Sequence, residues 1–220
     1  MPAKKLLVLG ATSATGQVIV HRALESGWDV TVYGRRTLPA HAESENITAV
    51  EGPFDSESGL RQAIAGQDVI ISVVGPSSPF APSTIFAPAY KKIFSVMKAE
   101  GVKRIIALST LSVVDPKDKP SFLRWLLVTP VWALAHNAWK AVIDVSNVFD
   151  REGSDIDWTL FRVGFLADGP PLKVVDGNVG DGTTGIYLRR ADIAEWTLAQ
   201  AAQVPPHFVH EKPAISSVKP

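Results

Sequence analysis

Leu6-Leu7-Val8-Leu9-Gly10-Ala11-Thr12-Ser13-Ala14-Thr15-Gly16 joins an apolar run to a turn of small residues. The run Leu6 to Leu9 does not alternate, as expected of a parallel strand covered on both faces. From about Thr15 to Ser26 the pattern becomes helical, with Val18, Ile19, Ala23 and Leu24 on one broad face and Gly27 as its stop. A strand, a glycine turn and a helix in this order form the unit on which a dinucleotide pyrophosphate docks. Gly10 permits the tight turn, and Gly16 lets the helix pack close to the strand. The helix start offers free backbone N–H groups and the positive end of the dipole. Ser13 stands where the middle glycine of a G-x-x-G-x-x-G pattern falls; it is small and can bond a phosphate through its hydroxyl, but it narrows the backbone approach.

The alternation continues outward from this unit. Val30 to Tyr33, Ile47 to Val50, Val69 to Val74, Arg104 to Leu108 and Trp158 to Val163 read as further strands. Helical patterns fall over Gly59 to Ala65, Ile85 to Met97 with Gly101 as stop, Ala138 to Phe149 ending near Gly153, and Ile193 to Ala202. Phe208-Val209 reads as the opening of a last short strand. Repeated βα units predict an α/β chain with a Rossmann-type, doubly wound parallel sheet and helices on both faces. Ligands of such sheets bind at the carboxyl ends of the strands, near the switch point. Residues 164–187 hold six glycines with Pro170 and Pro171, and read as a loop-rich excursion on the substrate side. The whole of residues 1–220 is expected to form a single NAD(P)-binding domain.

Composition removes several function classes. The chain has 220 residues, 46% of them apolar, which suits a globular fold. Its 22 Lys+Arg balance 22 Asp+Glu, so no basic excess invites a nucleic acid. The absence of cysteine excludes disulfides, thiolate metal sites and a cysteine nucleophile. His207 and His210 read as strand residues on opposite faces, so no metal site is expected. The run Leu6 to Leu9 is too short for a signal-peptide core. The longest apolar stretch, Trp125 to Ala135, falls below the roughly 20 residues of a membrane span. A soluble cytoplasmic protein without a transmembrane segment is the expectation. No G-x-S-x-G elbow, Walker lysine loop or H-E-x-x-H motif is present.

The end of the second strand selects the cofactor. Val32-Tyr33-Gly34 leads into Arg35-Arg36, and no acid lies between Val30 and Ala42. A carboxylate at this point favours NAD, whereas the 2′-phosphate of NADP needs cations, and guanidinium binds phosphate in a bidentate manner. NADP(H) is therefore expected, held by Gly10, Thr12, Ser13, Ala14, Thr15 and Gly16, by Arg35 and Arg36, and by Phe54, Val74 and Gly75.

The Gly10–Gly16 turn, the Val30–Arg35 strand with its arginine, and Gly66-Gln67-Asp68-Val69-Ile70-Ile71 together resemble the atypical short-chain dehydrogenase/reductases. The resemblance is to their NAD(P)H-binding, NmrA-like and flavin-reductase-like branch. Asp157-Trp158-Thr159-Leu160-Phe161-Arg162-Val163-Gly164 is similar to that group's DWTIVRPG strand, with Val163 in place of the usual proline. Arg190-Ala191-Asp192-Ile193-Ala194 resembles its late helix start. The resemblance covers nearly the whole chain and implies the fold and the cofactor. The group includes reductases, isomerases and redox sensors.

In the reductase members, the resemblance implies a catalytic Ser or Thr after the fifth strand and a Tyr-x-x-x-Lys on the next long helix. Thr110 best matches the hydroxyl position, with Ser109 beside it and Ser112 third. The tyrosine is missing, since the three tyrosines are Tyr33, Tyr90 and Tyr187. His136 and Lys140 stand near its place, four residues apart and so on one helical face. Imidazole titrates near pH 6.5 and can pass a proton, while Lys140 can bind the nicotinamide ribose. The other reading makes His136 an incidental polar residue and Lys140 a surface lysine, with Asp144 occupying the position of the branch's lysine.

Trp125, Trp132 and Trp139 recur every seven residues within residues 121–139, one face if the segment is a single helix, although Pro130 should kink it. The segment reads as an apolar lid over a hydrophobic substrate, as a helix contact, or as the face of a homodimer. The leading expectation is an NADPH-dependent reductase of a small hydrophobic carbonyl or enone. A redox-neutral isomerase or cyclase, and a non-catalytic NADP sensor, are the alternatives.

Overall fold

The computed structural model describes residues 4–38, 45–76 and 78–218. In chain order it contains β1 (Lys5–Leu9), α1 (Ala14–Glu25), β2 (Asp29–Gly34), β3 (Ile47–Glu51), α2 (Glu57–Ile64) and β4 (Val69–Ser72). A 3-10 turn (Ser83–Ile85) leads into α3 (Phe86–Glu100), followed by β5 (Arg104–Thr110), α4 (Phe122–Leu134), α5 (His136–Glu152) and β6 (Asp157–Val163). Then come β7 (Phe165–Ala167), β8 (Val174–Gly177), β9 (Tyr187–Arg189), α6 (Arg190–Ala202) and β10 (Ala214–Ser217).

The main sheet runs β3-β2-β1-β4-β5-β6-β10-β8. Every pairing in it is parallel except that of β8 with β10. The order reverses between β1 and β4, which puts the switch point at the carboxyl end of β1. Strand alternation divides the core. Leu7, Leu9, Ile70, Ile105, Ala107 and Leu160 face α2, α3 and α5. Leu6, Val8, Ile71, Ile106, Phe161 and Val163 face α1 and α6. Burial on both faces explains why these strands read as unbroken apolar runs. Gly101 ends α3 in a left-handed conformation (φ 73°), which needs no Cβ.

Two expectations are revised. The fourth strand ends at Ser72, where Val73 N–H still donates to the Leu9 carbonyl (3.0 Å) and Val73 to Gly75 go on to line a cavity. Within residues 164–187 the short strands β7 and β8 lie among turns, and β9 begins at Tyr187. Phe208-Val209 opens no strand. Phe208 and His210 take left-handed backbone (φ 52° and 58°), and the strand starts at Ala214. His207 and His210 are therefore turn residues. The His210 ring lies 2.8 Å from the Ile156 carbonyl, and the His207 ring sits against Phe208. Pro39 to Ala42, part of the stretch without acids, fall outside the described residues.

Candidate functional site

At the switch point, the β1–α1 turn is held by its own backbone and one hydroxyl. The Ser13 side chain caps α1 by accepting from Gly16 N–H (3.0 Å), and donates to the Gly10 carbonyl (2.8 Å). Its proton is thus already engaged, so the hydroxyl bond to phosphate expected from the sequence is not offered in this arrangement. Ala14 and Thr15 open the helix, and their N–H groups have no acceptor within it. Gly10 adopts φ 84°, and a Cβ on Gly16 would lie 2.3 Å from the Gly10 carbonyl oxygen. Both glycines are required by this turn.

A cavity of about 890 Å³ opens beside it. Gly10, Thr12 and Ser13 form its floor, Arg35 and Arg36 one edge, and Phe54, Val74 and Gly75 its walls. Ala14, Thr15 and Gly16 are not on the lining; Ala14 is exposed at the start of α1, and Thr15 and Gly16 are buried behind it. Arg35 and Arg36 are exposed and make no ion pair with any described residue. Two features were not read from the sequence. Glu51 ends β3 opposite Gly34 in the parallel register, and its carboxylate accepts from both N–H and Oγ1 of Thr37 (2.9 Å each). These bonds hold the Glu51 carboxyl below the usual carboxylate range. Asp55 also lines the cavity, next to Phe54. Strand pairing brings both acids to a turn that contains none of its own.

Tyr33 and Tyr90 fix the walls. Tyr33 donates to the Pro53 carbonyl (2.7 Å) and packs edge-on against Phe54. Tyr90 sits 2.8 Å from Ser72 Oγ and donates to the Val74 carbonyl (3.2 Å), where burial pushes its phenol up to about 12. It therefore stays a neutral donor that positions Val74.

The expected catalytic residues are not on this lining. Ser109 and Thr110 end β5. Ser109 is buried, shares the strand face of Ile105 and Ala107 beneath α3 and α5, and its hydroxyl has no partner among the described residues. Thr110 shares the opposite face with Ile106 and Leu108, and its Oγ1 accepts from Ser112 N–H (3.3 Å). Lys140 Nζ contacts both Asp144 oxygens (3.0 and 2.8 Å), so the ammonium expected at the ribose is held along its own helix. His136 is exposed at the first turn of α5, with its ring 6.3 Å from that of Trp132 and 5.4 Å from that of Trp139. The three tryptophans do not share one helix. The chain breaks at Ala135 (φ −129°), five residues after Pro130, and Trp139 belongs to α5. The 3-10 turn packs against α5 and α5 against α4, so these elements adjoin the Val74–Gly75 end of the cavity.

A buried ion pair anchors the loop after β5. Arg162 is fully buried on β6 and donates through Nη2 to Asp118 (2.8 Å), through Nη1 to the Val113 carbonyl (3.1 Å) and through Nε to the Lys212 carbonyl (2.6 Å). Asp118 also accepts from the N–H groups of Asp115 (2.9 Å) and Val179 (3.1 Å). Burial pushes the Asp118 carboxyl up, but the bonds from Arg162 and from these amides outweigh it and leave a net lowering. Arg124, on α4, donates to the Leu111 carbonyl (2.8 Å).

A family model described as NAD(P)H-binding matches residues 10–203. Among curated relatives, an isoflavone reductase homolog of Zea mays is 25% identical over 218 residues, covering 90% of this chain and 64% of its own. The chain spans from 38% to 64% of the length of such relatives. A short-chain dehydrogenase/reductase from Veillonella parvula DSM 2008, in complex with NADP, superposes with a TM-score of 0.76 at 19% identity, covering 97% of this chain and 94% of that one. An anaerobillin reductase from Escherichia coli O157:H7 gives a TM-score of 0.76 at 19% identity, covering 99% and 100%. These structural likenesses concern the fold.

Proposed function

The chain belongs to the NAD(P)H-binding family, and on that premise we propose an NADPH-dependent reductase of a small hydrophobic carbonyl or enone, working as a single domain in the cytoplasm. The observation that carries this reading is the cavity at the switch point, which runs from two unpaired guanidinium groups past the Gly10–Ser13 turn to the apolar Val74–Gly75 wall. The turn suits a pyrophosphate, since the missing Cβ of Gly16 lets the turn close against α1 and the first amides of α1 are free for an anion. Arg35 and Arg36 suit a 2′-phosphate. When bound, the nicotinamide supplies a hydride. Thr110 is assigned to hold the substrate oxygen, with Ser109 on the other face of β5 as the alternative, and His136 to give it a proton. Because His136 lies off the lining, this role requires a substrate that extends past the cavity along α5. Lys140 is assigned to the nicotinamide ribose, a role that requires it to leave Asp144.

The test is NADPH oxidation with a panel of carbonyls, enones and quinones. Turnover is expected, with NADPH preferred over NADH by roughly 2–4 kcal/mol and that preference lost in the Arg35→Ala/Arg36→Ala double variant. His136→Phe should lower turnover by roughly 10²–10⁴ while cofactor affinity holds. Normal turnover in His136→Phe removes the histidine from the reaction and leaves water or a substrate hydroxyl as the proton source. Product formed without net NADPH oxidation means an isomerase or cyclase. Binding of NADP with no turnover of any panel member overturns the enzyme reading in favour of a sensor.

A further inference from the structure

The large apolar side chains that the fold leaves exposed are not scattered. Among the described residues they are Phe80, Ile85, Val114, Phe122, Leu123, Trp125, Leu126, Val131, Trp132, Leu134, Phe165, Val204 and Val218. All but Val204 lie in segments that leave the carboxyl ends of parallel strands: β4, β5, β6 and β10. The densest group is α4, which contains no buried residue.

The helix meets the rest of the protein along a narrow strip. Leu127 and Val128 pack against Leu111 and Val179, and Arg124 bonds the Leu111 and Ser112 carbonyls. Phe122, Leu123, Trp125, Leu126, Trp132 and Leu134 point elsewhere, over roughly 200° of the circumference at 3.6 residues per turn, and Val131 is exposed at the far end of the strip itself. A helix packed on a globular protein normally shows an apolar stripe little wider than about 100° and keeps it inward. Here the relation is reversed. The only hydroxyl on the exposed side, Thr129, donates back to the Trp125 carbonyl (2.8 Å), which leaves it only as an acceptor toward water. Phe122 and Trp125 stack on each other in the open, their centroids 5.6 Å apart.

Charge indicates what covers this face. From Lys119 to Ile143 there is no Asp or Glu; Lys119 is exposed, the Arg124 guanidinium is turned to the Leu111 and Ser112 carbonyls, and Lys140 pairs with Asp144 just beyond the titratable His136. Exposed apolar and tryptophan side chains, with no unpaired acid among them and the exposed Lys119 at the head of the helix, complement an anionic bilayer surface. Coverage over more than half of a cylinder also suits a fluid, which wraps a helix, better than a rigid second copy, which covers one stripe. The helix is too short to span a membrane, and no described helix is long and apolar enough to do so. We propose that α4 is an interfacial membrane helix, lying in the headgroup region of an anionic bilayer and turning the carboxyl edge of the sheet toward the lipid. This inference does not rest on the reductase reading.

The experiment is co-sedimentation of the full chain with phosphatidylserine–phosphatidylcholine vesicles and with pure phosphatidylcholine vesicles, with tryptophan emission recorded in parallel. Binding is expected to the mixed vesicles with a blue shift, and weaker binding to the neutral ones. The Trp125→Gln/Trp132→Gln double variant should lower partitioning by about tenfold or more, because both anchors lie on the exposed side. Its circular dichroism and NADPH affinity should match the parent, since no residue of α4 lines the cofactor cavity. A parent protein that stays in the supernatant with both vesicles overturns the proposal. If sedimentation equilibrium then shows a dimer that the double variant dissociates, α4 is a homodimer face instead. Binding that the double variant retains in full overturns the assignment to α4.

Discussion

The carboxyl edge of the sheet has two unlike halves. Over β1 to β3 the connections are held by specific bonds: Ser13 to Gly10 and Gly16, Thr37 to Glu51, Tyr33 to Pro53. After β5 the chain rises into α4, whose apolar side chains are almost all turned outward, tied down by the buried Arg162–Asp118 cluster at its base, and it returns to the core only with α5. The first half presents backbone amides and guanidinium groups to a ligand of fixed shape, so its geometry must be complete before the ligand arrives. The second half presents greasy surface, which selects by solubility rather than by shape. A fold that divides its edge this way can keep its cofactor end constant while its other end suits a different hydrophobic partner.

The largest effect should come from cutting the cluster beneath α4. Asp118→Ala leaves the Arg162 guanidinium buried without its carboxylate, and breaking such a pair costs about 3–5 kcal/mol. Urea unfolding should show this loss. The folded Asp118 carboxyl lies below its ordinary value, so its contribution is present above about pH 4, the unfolded value, and fades as pH falls through the folded one. Acid titration of the parent should therefore release the 111–134 segment first, seen as a change in the emission of Trp125 and Trp132 while NADPH still binds. If Asp118→Ala instead weakens NADPH as strongly as it lowers stability, the two halves are not independent.

This contrast also explains what could be read in advance. Strands β1, β2, β4, β5 and β6 are covered on both faces, so their apolar runs stand out, and the glycine turn is legible because its function depends on missing side chains. Strands β7 to β9 have three or four residues each among glycines and prolines, too few to show a period. Phe208-Val209 mimics a strand start because two apolar residues adjoin, whereas the backbone at Phe208 and His210 turns left-handed. The seven-residue tryptophan spacing suggested one helix, but the break at Ala135 puts Trp139 on another. Glu51 was invisible as a neighbour of the arginine turn, since only the pairing of β2 with β3 brings it there.

A middle-sized effect tests how the glycine turn works. Ser13→Ala removes the cap of α1 and should cost about 1 kcal/mol in thermal unfolding, while Ser13→Gly costs only a few tenths. NADPH affinity should fall only modestly in either variant, because the Ser13 hydroxyl already donates to the Gly10 carbonyl. A tenfold loss of NADPH affinity in Ser13→Ala with stability unchanged would mean that the hydroxyl turns to the phosphate when the cofactor binds.

The smallest effect concerns Glu51, the carboxylate nearest in register to the arginine turn. An acid at this place has two possible roles: to bind the ribose hydroxyls of NAD directly, or to hold the turn through Thr37. The observed bonds, two to the same residue, favour the second. Glu51→Gln keeps the length of the side chain and an acceptor for Thr37 but removes the charge. If Glu51 acts through Thr37, the affinities for NADPH and NADH should both fall by no more than about two- to fivefold, the size of one weakened neutral hydrogen bond. The pH dependence should agree. Its folded carboxyl is lowered, so the tether is present above about pH 4 and is lost as pH falls through the folded value. A direct ribose ligand behaves differently. Glu51→Gln would then weaken NADH while strengthening NADPH, since a repulsion toward the 2′-phosphate would go with the charge. Calorimetric titration of both cofactors separates the two roles by the sign of the change, and opposite signs would overturn the assignment of the Arg35–Arg36 edge to NADP.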